Sequence, residues 1–476
     1  MELYNLLLKE NPYGVENGKK ICRRHFRSIV KPLEPPHIIL RRSFLFILII
    51  FNFQLSTFNS VQAQDTTQAV KQSSNQAIKL YGFIRNYLTF DSRKTYTVIG
   101  GEYNMIPFDE NWNEDHSEDL NDVSSMQLQA LTSRFGLDIH GPDLWGWKTS
   151  GKLEGDFGGF GTNNTVFRLR LAYVKLSKGG SELLVGQDWH PLSGDIMPDV
   201  LGMAAGAPFR PHSRTPQIRG TMYWGSFGYT AALLWQLQYM NNGPKSASDP
   251  TSTASIDFAH NALWPEAFLG LNFKQGAWYA QVGVDVQKIR PRTHAQVGGV
   301  TKKVDESVAS FTPTLYAQYV TGDWSIKFRT LLAQNTSHLN QLVGYGVTSV
   351  NADGSWNYAS LRATISYLNI AYGKKVRYNL FLGYMKNLGA GEDLCDFGTN
   401  DYCIYMKGGE NFTHLNSVWR IAPSISYNVK AFNIGLEYEL TACTYGDIDT
   451  DGSILLNDNL RNVLNHRLCA LVKYNF

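Results

Sequence analysis

The sequence predicts an all-β fold, a transmembrane antiparallel β-barrel of about sixteen strands. Apolar and polar residues alternate with period two in segment after segment, as they do along a strand with two different faces. The candidate strands are mostly 9–15 residues long, which fits a tilted membrane span of about 10 residues better than the usual soluble strand of about 5–6. The connections between them alternate long and short. After residue 63 the chain has no run of 18 consecutive apolar residues, so helical spans are not expected.

Residues 1–63 are predicted to be a leader that contains a cleaved signal peptide. Residues 41–63, "RRSFLFILIIFNFQLSTFNSVQA", begin with two arginines and continue with an apolar run at 44–53. Val61-Gln62-Ala63 then provides a small-residue cleavage site. The apolar run is shorter than the roughly 20 residues of a membrane-spanning helix. Residues 64–79 are expected to form a short N-terminal segment before the barrel of residues 80–476.

Removal of the leader changes the charge balance of the chain. The whole sequence has 44 basic and 41 acidic residues. The leader contains nine of the former and four of the latter, which leaves 35 bases and 37 acids. The mature chain therefore has no basic excess that would indicate a nucleic-acid partner.

Alternation identifies the strands one by one. In "SRFGLDIHG" (133–141), Phe135, Leu137 and Ile139 fall on one face. The same pattern recurs in "FRLRLAYVKL" (167–176) and "AFNIGLEYEL" (431–440). The predicted strands are 80–91, 126–140, 147–157, 165–177, 181–188, 213–224, 227–240, 265–274, 277–290, 308–321, 324–335, 358–371, 374–386, 414–428, 431–444 and 462–476.

The connections are sorted by length. Short turns such as Gly225-Ser226, Gly322-Asp323 and Val429-Lys430 alternate with long segments. An even number of strands places every long loop on one rim, which is typical of membrane barrels with short periplasmic turns and long outer loops. The long segments are 92–125, 189–212, 241–264, 291–307, 336–357, 387–413 and 445–461.

The last ten residues, "RLCALVKYNF", end on an aromatic residue. Leu468, Ala470 and Val472 are predicted to face lipid, with Tyr474 and Phe476 in the aromatic girdle at the interface. In a closed barrel this strand must pair with the first one, because backbone groups in hydrocarbon need partners. The ending aromatic-x-Phe resembles the assembly signal of Gram-negative outer-membrane proteins.

The mature chain resembles the sixteen-stranded porins and, more loosely, the DcaP-like trimeric channels. "SRFGLDIHG" and "EGDFGG" (154–159) are the segments similar to the latter. The resemblance implies a homotrimer in outer-membrane lipid, exported through the signal peptide. It also implies passive diffusion of small hydrophilic solutes, with a substrate-specific channel as the alternative.

The predicted inner face carries more bases than acids, which favours anionic solutes. The alternative is that these bases only line a wide aqueous lumen and pair with nearby acids. The thirteen basic candidates are Arg134, Lys148, Lys152, Arg168, Arg170, Arg219, Lys327, Arg329, Arg362, Arg377, Arg420, Arg467 and Lys473, and the six acidic ones are Asp138, Glu154, Asp156, Asp285, Glu437 and Glu439.

The third outer loop, 189–212, is rich in small and apolar residues, so burial of these residues against another part of the protein is favourable. In porins the third loop folds into the barrel and narrows it. That resemblance places Asp195 and Asp199 at a constriction. An ordinary surface flap is the alternative. The basic residues expected opposite the two aspartates are Arg134, Arg168, Arg170 and Arg219.

"DIDTDGSILLND" (447–458) has the spacing of a twelve-residue calcium loop with a glycine at the sharp turn. Asp458 stands at the twelfth position, where a bidentate Glu is usual, and strands rather than helices flank the loop. An acidic Asp-Gly turn is the alternative. The candidate Ca²⁺ ligands are Asp447, Asp449, Asp451, Ser453 and Asp458.

Cys395 and Cys403 bracket seven residues of an outer loop and are predicted to form a disulfide, which export permits. Cys443 and Cys469 fall at different heights on neighbouring strands, so they are not expected to pair.

A barrel enzyme, such as an outer-membrane lipase or protease, is the competing class of function. It needs a nucleophile, a base and an orienting group. His140, His190, His212 and His466 are scattered along the chain, and no serine motif accompanies them. The sequence therefore predicts a channel that requires no cofactor.

Overall fold

The computed structural model describes residues 77–159, 166–193, 197–247, 249–398 and 402–476. The predicted leader and most of the short N-terminal segment lie outside these ranges. Among the described residues, no helix is long and apolar enough to cross a membrane. The helical elements described are one turn of α-helix at Asp257–His260 and three 3-10 turns, at Met203–Gly206, Ser337–Leu339 and Gly409–Phe412.

The described chain forms twenty-six strands, of which seventeen make one large sheet. In chain order they are β1 (Ala77–Asp91), β2 (Thr95–Val98), β3 (Tyr103–Pro107), β4 (Ser125–Gln129), β5 (Arg134–His140), β6 (Lys148–Gly159), β7 (Val166–Lys178), β8 (Ser181–Trp189), β9 (Arg214–Trp224), β10 (Phe227–Leu234), β11 (Asn242–Pro244), β12 (Ser252–Ala254), β13 (Glu266–Gln275), β14 (Trp278–Ile289), β15 (His294–Val297), β16 (Val300–Lys303), β17 (Val308–Thr321), β18 (Trp324–Gln334), β19 (Tyr345–Val350), β20 (Trp356–Ser360), β21 (Arg362–Tyr372), β22 (Val376–Asn387), β23 (Ile404–Tyr405), β24 (Leu415–Val429), β25 (Phe432–Tyr445) and β26 (Arg461–Asn475).

The large sheet closes on itself with every pair antiparallel. From β5 onward each strand of this sheet pairs with the next one along the chain, and β26 returns to pair with β1 from Phe83↔Asn475 to Asp91↔Arg467. The short strands β4 and β5 both pair with β1, one with each half of it, so together they make one pass. The barrel therefore has sixteen passes, and the predicted fold class is confirmed.

Twelve of the sixteen predicted strands match the structure to within two residues, and four differ more. β1 begins at Ala77 rather than at residue 80, and the predicted strand 358–371 begins at Arg362, because residues 358–360 belong to β20. The predicted strand 126–140 is interrupted between Gln129 and Arg134. The predicted strand 227–240 ends at Leu234, because the chain turns inward there and the side chains of Gln236 and Asn241 bond to each other. The long loops also contain short hairpins, β2–β3, β11–β12, β15–β16 and β19–β20, which alternation did not predict.

Side chains alternate between lipid and lumen as predicted. In β26, Leu468 and Val472 are 56% and 48% exposed. Arg467 and Leu471, each directly before one of them, are only 2% and 3% exposed. Outward aromatic residues gather at the rim of the short turns, where an interfacial girdle belongs. Some of them contact each other across strands, such as Trp278 and Tyr319, whose ring centroids are 4.8 Å apart. The exposed aromatic residues of this girdle include Trp224, Phe227, Trp278, Trp324, Tyr372, Tyr378, Tyr427, Phe432 and Tyr474.

The first and last strands meet in a tight backbone contact. Gly82 and Phe476 exchange two backbone hydrogen bonds of 3.0 Å each. A Cβ on Gly82 would lie 2.5 Å from the carbonyl oxygen of Arg134 and 2.5 Å from the ring of Phe476. Position 82 therefore has room only for glycine if the terminal aromatic residue is to lie against β1.

Gly82→Ala should destabilise the barrel by roughly 1–3 kcal/mol, the usual cost of overpacking. Gly220→Ala is the matched control, because position 220 is also in a strand and a Cβ there meets nothing within 4 Å. The control should change the free energy of unfolding by no more than about 1 kcal/mol. Urea unfolding in detergent, followed by tryptophan fluorescence, measures both. Equal stability of the two variants would contradict this account of the closure.

Candidate functional site

The described part of the third loop between β8 and β9, residues 190–193 and 197–213, lies inside the barrel. Wall strands from all around the circumference bond to it, which only a segment in the lumen can achieve. The Tyr87 hydroxyl of β1 donates to the Leu201 carbonyl at 3.2 Å. Glu437 of β25 accepts from the backbone N–H groups of Leu201 and Gly202 at 2.9 and 2.8 Å. Lys327 and Arg329 of β18 donate to loop carbonyls from the far side.

Asp199 is the charged anchor of this loop. Its carboxylate lies 2.9 Å from Lys327 Nζ and 2.9 Å from Arg377 Nη2, and it accepts from the Ser325 hydroxyl at 2.6 Å. Burial alone would raise the pKa of Asp199. The charges of Lys327 and Arg377 and the bond from Ser325 outweigh burial, so the pKa lies below its usual value.

One side of the lumen is filled by an apolar core. The hairpin β2–β3 inserts Tyr103, Met105 and Ile106, all 0% exposed, and the third loop adds Phe209. These pack on inward apolar residues of β18, β21, β22, β24, β25 and β26. Arg420 of β24 holds both inserted segments, since its guanidinium donates to Ala204 O at 2.6 Å and to Met105 O at 2.5 Å.

A chamber of about 300 Å³ remains beside the third loop. It is lined by the inner faces of β1, β5, β7 and β26 and by loop residues 197–203. None of the described residues that line it is acidic. Burial and the nearby Arg210 and Arg214 hold the pKa of His212 well below its usual value, so this lining residue adds no charge at neutral pH. The basic residues of the lining are Arg85, Arg134, Arg170, Arg210 and Lys473.

Three of these five bases have no carboxylate within ion-pair distance among the described residues. Arg85 donates to the Thr132 hydroxyl. Lys473 lies 4.2 Å from the centroid of the Phe83 ring, and Arg210 lies beside the third-loop backbone. Arg134 has one distant partner, Glu154, at 3.5 Å. The chamber therefore keeps an excess of positive charge.

The ring of Phe83 stabilises this cluster of like charges. Arg85, Arg134 and Lys473 lie 5.0, 4.8 and 4.2 Å from its centroid. An aromatic face attracts a cation by about 0.5–2 kcal/mol without neutralising it. The cations are thus held in place while their charge stays available to a solute.

The residues predicted at the constriction are arranged differently from the expectation. Asp195 lies outside the described residues. Asp199 pairs with Lys327 and Arg377 rather than with the four predicted arginines, because the loop crosses toward β18 and β22.

The four arginines themselves have other partners on their own wall. Arg168 binds Asp156 at 2.6 Å, and Arg170 binds Glu154 and Asp156 at 2.7 Å each. Arg219 binds Asp188 at 2.6 Å. Of the four, Arg134 and Arg170 line the chamber.

Arg85 and Phe83 were not predicted as lumen residues, and Arg210 was not predicted as a base of the chamber. The alternation of side chains along β1 could have identified the first two, because Phe83 and Arg85 have the same odd numbering as Tyr87, Thr89 and Asp91, which are buried on the inner face. Arg210 is in a loop and has no such signal. The apolar core was also missed, although Ala363, Ile365 and Tyr367 make the inner face of β21 apolar.

The calcium-like loop forms a small hairpin closed by the bridge Ile448↔Ile454. The Asp447 carboxylate accepts from Asn457 and Asn459 at 3.0 and 2.6 Å. Asp449, Asp451 and Asp458 are not among the described groups whose ligand atoms converge within 4.8 Å. Calcium binding with Asp447, Asp449, Asp451, Ser453 and Asp458 stays a prediction.

Cys395 and Cys403 flank an antiparallel bridge, Asp396↔Tyr402, so they stand opposite each other as the next pair of that short ladder. Both are half-buried. The disulfide stays a prediction. Cys443 pairs with Val463 and Cys469 with Glu437, so the other two cysteines lie at different heights, as expected.

Comparison with known proteins agrees with this architecture. The family model described as DcaP outer membrane protein matches residues 52–220. The outer membrane channel DcaP of Acinetobacter baumannii is similar, with a TM-score of 0.56 at 17% identity over 85% of this chain and 99% of that one. Two others are OmpT of Vibrio cholerae in its trimer form (TM-score 0.46, 12% identity, 84% and 99% covered) and Salmonella typhi OmpF in complex with daunomycin (0.45, 11%, 84% and 97%). The search of curated proteins gives no match.

The closed sixteen-pass barrel with its inserted loop has the fold of the outer membrane channel DcaP. The chain is similar to DcaP outer membrane proteins, and both the predicted resemblance and the predicted outer-membrane location are confirmed.

Asp199→Asn should loosen the third loop at neutral pH, because both ion pairs of the anchor are lost. The wild-type carboxyl has a depressed pKa, so its anchoring is complete above the ordinary value of about 3.9 and is lost as pH falls further. Single-channel current noise should therefore rise below about pH 4 in the wild type, but already at pH 7 in the variant.

Asp249→Asn is the control, since Asp249 bonds to Lys245 in an exposed outer loop. It should behave like the wild type throughout. If the Asp199→Asn variant shows the same current noise as the wild type at pH 7, the Asp199 carboxylate does not hold the loop.

Proposed function

We propose that the protein is a pore for passive diffusion of small hydrophilic solutes and that it prefers anions. The observation that carries the proposal is the chamber lined by five bases and, among its described lining residues, by no acid. Two unit charges 4 Å apart attract by about 4 kcal/mol at an effective dielectric constant near 20. An anion in the chamber meets several such charges, so anions enter at higher local concentration than cations.

The volume of the chamber also supports selection by size. About 300 Å³ is at the small end of sites that hold organic ligands. A small anion with some of its hydration water therefore fits, whereas a bulky solute must displace the third loop. A substrate-specific channel remains the alternative, and it would show saturable rather than linear flux.

We propose a homotrimer as the assembled form. Besides the resemblance to trimeric channels, the outer wall supports this where β24, β25 and β26 meet β1. A concavity of about 600 Å³ there is almost wholly apolar, with Leu88, Phe90, Ile425, Leu436 and Leu468 among its lining residues. A second copy can fill such a concavity more completely than mobile lipid chains can.

Replacing Arg85 and Lys473 together by glutamine should lower the anion-to-cation permeability ratio by roughly a factor of two to ten, because two unpaired charges of the chamber are lost. Lys302→Gln with Lys303→Gln removes the same charge from an exposed loop strand and should leave the ratio unchanged. Reversal potentials in a planar bilayer under a potassium chloride gradient measure the ratio. An unchanged permeability ratio in the Arg85 and Lys473 variant would contradict the anion preference.

The same recordings test the homotrimer. Conductance steps without three equal sublevels would contradict it.

Calcium in the last outer loop remains a proposal, with Asp447, Asp449, Asp451, Ser453 and Asp458 as ligands. Binding requires Asp447 to release the amide groups of Asn457 and Asn459, so affinity should be weak, in roughly the 0.1–1 mM range of extracellular calcium modules. Limited proteolysis in calcium or in EDTA should show protection of residues 447–458 by calcium, and Asp449→Asn should abolish that protection. Identical cleavage of the wild type in both buffers would rule out calcium there.

A further inference from the structure

Four buried side chains from separate parts of the chain meet at the root of the third loop. His190 is the first residue of that loop, and His338 lies in the 3-10 turn Ser337–Leu339 of the loop before β21. Glu266 begins β13, and Asp285 lies on the neighbouring strand β14. Their residue exposures are 0% for His190, 1% for His338, 5% for Glu266 and 4% for Asp285.

The potential ligand atoms of His190, Glu266 and His338 converge, and a carboxylate oxygen of Asp285 lies beside them. Nε2 of His190 lies 2.8 Å from Glu266 Oε1, and Nε2 of His338 lies 3.0 Å from the same oxygen. Asp285 Oδ1 is 3.7 Å from Nε2 of His190. The ligand atoms of His190, Glu266 and His338 all lie within 4.8 Å of one another. Ligands of a tetrahedral ion bound at 2.0–2.1 Å are separated by about 3.3 Å, so small adjustments suffice.

The cluster is incompletely satisfied as a set of protein groups. Glu266 Oε2 and Asp285 Oδ1 are buried and have no hydrogen-bond partner among the described residues. The groups described within ion-pair distance of these carboxyls are the two histidines. A buried carboxylate without a partner costs several kcal/mol in a protein interior. A divalent cation at the centre would balance both carboxylates and use the two unpartnered oxygens.

Metal binding changes the protonation of both rings; the surroundings of His338 can accept this change, whereas at His190 it costs one hydrogen bond. Binding through Nε2 places the remaining proton of each ring on Nδ1. At His338, the amides of Asn241 and Gln287 lie 3.4 and 3.5 Å from Nδ1, and an amide flip presents an oxygen to that proton. At His190, Nδ1 now accepts from the Leu192 N–H at 3.1 Å, a bond that the bound form gives up.

We propose that His190, Glu266, His338 and Asp285 bind one divalent transition-metal ion of the zinc type. Two imidazole nitrogens exclude a calcium- or magnesium-type site, because those ions prefer oxygen ligands only. With four protein ligands the site is closed and structural rather than catalytic. The ion would tie the root of the third loop to two wall strands and to the loop before β21.

The test is direct metal binding by the detergent-solubilised full protein, which does not depend on conductance. The wild type is unfolded, stripped of metal with EDTA and refolded with zinc chloride. After gel filtration it should retain one zinc ion per chain, as measured by inductively coupled plasma mass spectrometry. Refolding with cobalt chloride should give the visible absorption of a tetrahedral Co²⁺ centre. Failure of this binding leaves the pore proposal intact, and failure of anion selectivity leaves the metal proposal intact.

Matched variants assign the ligands. His190→Gln and His338→Gln should each lose the zinc, and Asp285→Asn should weaken zinc binding at least tenfold. His414→Gln is the control, since His414 is an exposed loop histidine bonded to a backbone carbonyl, and this variant should keep the zinc. Migration on unheated gels verifies that each variant is folded. A folded wild type without zinc, or equal retention in the His190, His338 and His414 variants, would overturn the proposal.

Discussion

The whole structure depends on the requirement that backbone N–H and C=O groups inside a hydrocarbon layer find partners within the protein. A sheet can meet it only by closing, so β26 must return to β1. The requirement fixes an even number of passes, and with it the sorting of loops onto the two rims. At this seam Phe476 continues the pairing of β26 with β1 through two backbone hydrogen bonds with Gly82.

Closure with sixteen passes leaves an interior that wall side chains alone do not fill. The chain fills it unevenly, with the β2–β3 hairpin and part of the third loop packed as an apolar core on one side. The open chamber lies on the other side, where β1 and β26 present cations around Phe83. The packing of these two loops therefore determines where the chamber lies, whereas four of its five bases come from wall strands.

The sequence predicted the barrel well because its signals are local. Alternation and turn residues identified all sixteen passes, and β17 even has the predicted bounds, Val308–Thr321. The interior was harder, since it depends on contacts between residues far apart in the chain. The partners of Asp199 lie 128 and 178 positions away, and the cluster at His190 joins four separate segments. A lumen base such as Arg85 could have been found by parity, whereas Arg210 in the loop could not.

Arg420 gives the pore a mechanical property that neither inserted segment has alone. Its single guanidinium donates to Ala204 of the third loop and to Met105 of the β2–β3 hairpin. If either segment leaves, the buried guanidinium of Arg420 loses an acceptor, and a buried donor without a partner costs about 1–3 kcal/mol. One side chain therefore holds both inserted segments, so the loss of Arg420 alone would loosen the third loop and the β2–β3 hairpin together.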